Sequence, residues 1–202
     1  MKIRIWLLVA ALTVGNCSSA RAEEEPKLTM HRQGVTVKNE TGWYPAISTE
    51  GRYSVLMPLP FSDYTIAAKK MDGSDLLMHF ISARTTDGVK FSVSGASWDS
   101  PKPDLSRLYE DFRKPGQTLS VPLYSEAKGT YVQTFEVSGE KSGAFIRHVI
   151  TPTELFSFVV EFPPGMRDTV EPLARRFFDS LNPGQPNKTP QTTTGSSAPD
   201  RV

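Results

Sequence analysis

Alternation of apolar and polar residues at a period of two runs through the middle of this chain and constrains its fold more than any other feature. Over 89–95, Val89, Phe91 and Val93 share one side, and Lys90, Ser92 and Ser94 the other. That is the pattern of a strand with one dry and one wet face. Phe156, Phe158, Val160 and Phe162 repeat it, with Leu155, Ser157, Val159 and Glu161 opposite. Tyr53, Val55 and Met57 predict a shorter strand, ended by Pro58 and Pro60. Segments 76–84, 131–137 and 144–151 read as strands too, with a weaker candidate at 64–69. Ala144, Phe145, Ile146, Val149 and Ile150 are apolar on both faces, which predicts a central strand there.

The connections predict antiparallel pairing. Residues 138–143 form a short polar link containing Gly139 and Gly143, a hairpin signal. Pro152 brings a preset φ to a tight turn over 151–154. Strands 131–137, 144–151 and 154–162 therefore form a meander, and 72–75 and 86–88 mark further turns. Two segments read as helices. The first covers about 104–114, with Asp104 as N-cap, Leu105, Leu108, Tyr109 and Phe112 on one stripe, and Pro115-Gly116 as the stop. The second follows Pro163-Pro164-Gly165, with Asp168 and Glu171 spaced as a capping pair and Pro172 placed in the first turn. Val170, Leu173, Ala174, Phe177, Phe178 and Leu181 make its apolar face, and Asn182-Pro183-Gly184 ends it. The fold class is α+β: an antiparallel sheet of about six or seven strands packed with at least two helices.

The ends differ from this middle. Lys2 and Arg4, an apolar run over 5–14, and Ala20-Arg21-Ala22 read as a cleavable secretory signal peptide over 1–22. The run is too short for a bilayer, which needs about 20 residues. The single cysteine, Cys17, falls inside this leader, so a mature chain starting near Glu23 has no disulfide to staple it. A lipoprotein reading through Cys17 is the weaker alternative, because Asn16 fits poorly before it. Losing Lys2, Arg4 and Arg21 from 23 basic residues leaves 20 against 22 acidic ones. A near-neutral chain without a basic block has no electrostatic footprint for nucleic acid. Residues 23–42 read as a flexible polar segment, 43–182 as one α+β domain, and 183–202, rich in Pro, Thr, Ser and Gly, as a disordered tail. The mature chain has no transmembrane segment, and a periplasmic or secreted location is expected.

Three places carry a resemblance. They are Gly51-Arg52-Tyr53-Ser54-Val55-Leu56-Met57-Pro58, the strand around Phe156-Ser157-Phe158-Val159-Val160, and the closing Arg175-Arg176-Phe177-Phe178-Asp179-Ser180-Leu181. In order and spacing they bracket about 130 residues, a usual domain size, and the arrangement resembles the PsbP-like group of exported and lumenal domains. The resemblance implies an assembly, stabilising or partner-binding role. Its motifs are structural rather than chemical, so no functional residue is carried over from it.

Catalytic signatures are lacking. Ser94-Gly95-Ala96-Ser97 is not a nucleophile elbow, no thiol survives leader removal, and Glu110-Asp111 read as a solvated helix face. The chain is read as non-enzymatic, with no cofactor. His79, sharing a strand face with Leu77 and Ile81, and His148, sharing one with Ile146 and Ile150, have two readings. They are semi-buried imidazoles, or they meet across the sheet and bind a metal with Glu136 or Glu161. His31, in the polar N-terminal segment, offers no site.

Trp43, Tyr44 and Trp98 flank predicted strands. They either cap the open end of the core or, if exposed together, anchor a partner. The function expected is that of an exported domain binding or stabilising another envelope protein, with those three residues as the partner site. The alternatives are a carrier or sensor of a small apolar ligand on the Phe-rich sheet face, and a metal-dependent hydrolase built on His79 and His148.

Overall fold

The alternating segments pair into two antiparallel sheets. The computed structural model describes residues 26–33, 37–49, 53–69, 74–98 and 102–184. The leader with Cys17, the tail beyond 184, and Gly51, Arg52, Asp72 and Gly73 lie outside the described residues. In chain order the elements are β1 (Lys27–Gln33), β2 (Tyr44–Ile47), β3 (Tyr53–Met57), β4 (Ser62–Lys69), β5 (Asp75–Arg84), β6 (Lys90–Ser97), α1 (Leu105–Glu110), β7 (Gln117–Leu119), β8 (Leu123–Ala127), β9 (Thr130–Gly139), β10 (Gly143–Ile150), β11 (Glu154–Phe162), α2 (Arg167–Asp179) and β12 (Asn182–Pro183).

The larger sheet has the order β1-β4-β5-β6-β11-β10-β9, with β7 and β8 both on the far side of β9. β12, β3 and β2 form the smaller one. The architecture is α+β and antiparallel, as the alternation predicts, but the larger sheet has nine strands rather than six or seven. The extra strands are short or lie at edges. β8 is exposed at every residue, so it carries no alternation to read.

The meander is present as β9, β10 and β11, and β10 is central, flanked by β11 and β9. Its second turn is held by Thr151, whose backbone N–H donates to the Glu154 carbonyl at 2.9 Å and whose Oγ1 accepts from the Glu154 N–H at 3.0 Å.

Two boundaries need correction. The segment 23–42, read as flexible, contains β1, which pairs with β4 from Lys27 opposite Ala67 to Gln33 opposite Ser62. A strand at a sheet edge needs only one partner, so it forms without the apolar run that marks a central strand. The domain also extends past 182, since Pro183 pairs with Tyr53 in the smaller sheet.

The helices form where expected, with different ends. Asp104 caps α1 by accepting the Ser106 N–H at 2.9 Å. The helix stops at Glu110 rather than 114, and Phe112 and Arg113 turn more tightly, their N–H groups donating to Tyr109 and Glu110 carbonyls three residues back. In α2 the N-cap is Met166, with no side-chain cap bond. The Asp168 and Glu171 carboxylates are taken by Arg167 and Arg175 instead of by the helix end. Pro172 is the sixth helical residue, not in the first turn, and having no N–H it leaves the Asp168 carbonyl without its i+4 donor.

Residues directly opposite across antiparallel strands point to the same side of the sheet. One side carries Phe91, Val93, Phe156, Phe158 and Val149 and packs against α2 and the smaller sheet. Phe158 meets Phe177 and Phe178 edge-on, at ring separations of 5.1 and 5.6 Å. Gly95 sits beneath this layer. A Cβ there would lie 2.9 Å from the Tyr53 ring and 3.1 Å from that of Phe156, so the close approach needs glycine. The other side carries Phe135, Val137, Ile146 and Val159, covered by Tyr109 and Phe112 of α1 and its following turn.

Candidate functional site

The register decides the histidine question. His79 stands opposite Gly95, Gly95 opposite Phe156, and Phe156 opposite Val149. His148, one residue from Val149, therefore points to the other side of the sheet. The two imidazoles that could have shared a metal project from opposite faces. Glu136 is held by Arg167 through two 2.8 Å bonds. Glu161 lies four strand positions from Ser157, the residue opposite His148, a span of about 13 Å. Among the described residues no group of three His, Cys, Asp or Glu converges.

His79 is buried and belongs to a chain of hydroxyl and imidazole groups. Thr65 Oγ1 is 3.3 Å from His79 Nδ1 and 2.7 Å from Nε2 of His31. The Tyr53 hydroxyl donates to the His79 carbonyl at 3.1 Å, and burial pushes that phenol's pKa up. His31, given no role by the sequence, thus ties β1 to β4.

His148 is different. Its side chain is fully buried, and burial pushes its pKa down to about 3, so it is neutral across the physiological range. Neither ring nitrogen has a partner among the described residues. Its two cross-strand neighbours share that condition: Ser157 Oγ and Gln133 Oε1 are also buried and unpartnered. The Gln133 amide N–H groups do bond, to the Leu105 carbonyl at 3.1 Å and the Tyr124 hydroxyl at 3.0 Å. Phe112 and Phe135 lean on the imidazole at ring separations of 5.8 and 5.9 Å. Beside this row, a cleft of about 210 Å³ opens between the turn after α1 and the sheet, lined by Phe112, Val137, Ala144, Ile146 and Val159. Lys114 and Glu161 add charge to its lining.

The aromatic residues singled out from the sequence do not form a surface. Trp43 and Tyr44 are only 6% and 8% exposed and belong to the main core, which corrects their reading as partner anchors. The Arg176 guanidinium stacks 4.5 Å above the Trp43 ring and donates to Thr41 Oγ1. Trp98 is half-buried, its indole N–H donating to the Thr151 carbonyl at 3.2 Å and its backbone N–H to that of Thr153. These anchors lie on different elements and serve packing.

An exposed apolar surface lies elsewhere, on the β1–β4–β5 wing of the side that α1 partly covers. The row holding His148 continues through Ser157, Ser94, Phe80 and Tyr64 to Met30. The next rows are Leu28–Ile66–Met78 and Ala68–Leu76. The side chains of these rows are apolar or aromatic, the following row Gln33–Ser62–Ser82 is polar, and Leu28 and Met30 are 54% and 47% exposed. Tyr64 and Phe80 stack at 5.2 Å. Sequence reasoning did not find this face, although Leu28 and Met30 alternate, as do Tyr64, Ile66 and Ala68.

No model of a known protein family matches the chain. No curated protein matches it either. Among solved structures it aligns with the solution structure of cyanobacterial PsbP (CyanoP) from Synechocystis sp. PCC 6803, at 15% identity and a TM-score of 0.45, over 73% of this chain and 98% of that one. No helix among the described residues is long and apolar enough to cross a membrane.

Proposed function

We propose that this chain is an exported, non-enzymatic binding module that docks on another envelope protein through the open apolar face of β1, β4 and β5. The observation that carries the reading is the exposure of Leu28 and Met30 beside Tyr64, Ile66 and Met78 on one sheet face. Contiguous apolar side chains left in water mark interaction surfaces, whereas scattered ones do not. Among the described residues β1 pairs only with β4, so a partner strand can extend the sheet at its other edge while its side chains cover this face. The leader read in the sequence supports placing the partner in the envelope.

The test is a photo-crosslinking residue at Met30 or Met78 in living cells, with Leu173 on the exposed side of α2 as control. One dominant envelope protein joined from the wing positions only, and lost with Leu28→Glu, is the expected result. Equal capture from Leu173, or none from the wing, removes the reading.

A further inference from the structure

We infer that Phe112 plugs an internal binding site for a small aromatic molecule bearing a hydroxyl group, with His148, Ser157 and Gln133 as its polar floor. The inference is independent of the docking face, which lies at the other end of the sheet. Three buried polar groups in adjacent cross-strand positions lack partners among the described residues: both His148 ring nitrogens, Ser157 Oγ and Gln133 Oε1. An unmade hydrogen bond at a buried group costs roughly 1–3 kcal/mol, so a row of them is a standing demand for something that both donates and accepts. A neutral imidazole offers one donor and one acceptor, the serine hydroxyl either, and Gln133 Oε1 an acceptor. A hydroxyl group that donates to Gln133 Oε1 and accepts from the imidazole N–H and the serine hydroxyl serves one atom of each.

The apolar part of the ligand follows from the cleft. Val137, Ala144, Ile146 and Val159 give it an apolar wall on the sheet, Asp111, Lys114, Gln117, Ser142 and Glu161 line the rest, and its volume is about 210 Å³. Ile146, which lines the cleft, precedes His148 by two residues on β10 and shares its face, about 7 Å away along the strand, and His148 itself does not line the cleft. What stands between them is Phe112, which both lines the cleft and packs on His148. Phe112 sits after the end of α1, in a turn whose next four residues are exposed, and its backbone N–H is held by a single bond to the Tyr109 carbonyl at 3.2 Å. Swinging its ring outward joins cleft and polar row into one site, with the ligand ring taking the place of the phenyl.

Phenol and toluene are the probes, titrated into the mature protein while the His148 imidazole is followed by nitrogen and carbon NMR. Saturable phenol binding that shifts the His148 ring signals is expected, with toluene at least about tenfold weaker because it leaves the polar row unsatisfied. Phe112→Ala should tighten phenol binding by about fivefold or more, and Ser157→Ala should weaken it in an otherwise folded protein. Equal affinity for phenol and toluene overturns the assignment. So does the absence of a His148 shift at high phenol in both wild type and Phe112→Ala, the result expected if the row holds only ordered water.

Discussion

Arg32 on β1 holds Asp63 on β4 by two N–H bonds, at 2.9 and 3.2 Å, to the same carboxylate oxygen. That oxygen also accepts the Thr49 backbone N–H at 2.9 Å and its hydroxyl at 2.5 Å, and the Asp63 side chain is 1% exposed. Arg32 donates as well to the Ile47 carbonyl, so one buried carboxylate joins β1, β4 and the segment after β2. Asp63→Ala strands four donors and should cost about 2–4 kcal/mol in urea unfolding. Arg32→Ala should cost less, about 1–2 kcal/mol, because Thr49 still serves the carboxylate and the guanidinium is half-exposed. Equal, small losses in both variants would remove this account of why β1 is held in place.

His148 gives the fold an acid-side weakness. Its pKa is about 3 folded and 6.5 unfolded, so between those values the unfolded chain binds the extra proton. Stability attributable to this group is therefore constant above pH 6.5 and falls as pH drops through the window, by up to about 1.4 kcal/mol per unit. Carboxylates titrate in the lower part of the same window, so the quantity to read is the difference between wild type and His148→Phe. The variant should show the flatter stability profile from pH 6.5 to 4.5, and parallel profiles would mean that the imidazole reaches water.

Gly95→Ala should destabilise by about 1–3 kcal/mol, since the new methyl meets the Tyr53 and Phe156 rings below normal contact distance. Gly116→Ala gives the comparison. There a Cβ meets nothing within 4 Å, and only the positive φ of 76° opposes it. Thermal unfolding should rank Gly95→Ala as the more damaging, and the reverse order would show that the packing above Gly95 gives way easily.

Trp43 and Trp98 should separate in a stability assay. Trp43→Ala empties a core position and should cost about 3–5 kcal/mol. Trp98→Ala removes a half-buried ring with one indole hydrogen bond and should cost about half as much. Similar losses would mean that the end of β6 is as tightly packed as the core.

What was legible in the sequence is what one strand decides by itself. The inward set of β11 (Phe156, Phe158, Val160, Phe162) was readable because dry and wet positions alternate within nine residues. β1 was not, since nearly all of its residues are exposed and its stability comes from Arg32 and from pairing with β4. The histidines show the same division. Each one's companions on its own strand were correctly read, but whether His79 and His148 share a face depends on the register of β5, β6, β11 and β10 in succession. That register is a property of pairings far apart along the chain, which local periodicity does not contain. For Trp43 and Tyr44 the choice between capping the core and anchoring a partner was open for a related reason: Tyr44 begins a strand of only four residues, Trp43 immediately precedes it, and their burial comes from elements distant in the chain.

The centre of the larger sheet consists of two locally wound halves, β4-β5-β6 and β9-β10-β11, joined among the described residues by the pairing of β6 with β11. Neighbouring strands within each half are separated by only a few residues of chain, but the seam brings Ser97 opposite Glu154 and must close a loop of more than fifty residues. Closing so long a loop costs more entropy than closing the hairpins, so this seam is expected to form after them. During synthesis the first half exists before the second, with the β6 edge bare and Phe91 and Val93 beside it. The chain is then at its most adhesive, and the strand that ends this vulnerability is one of the last to arrive.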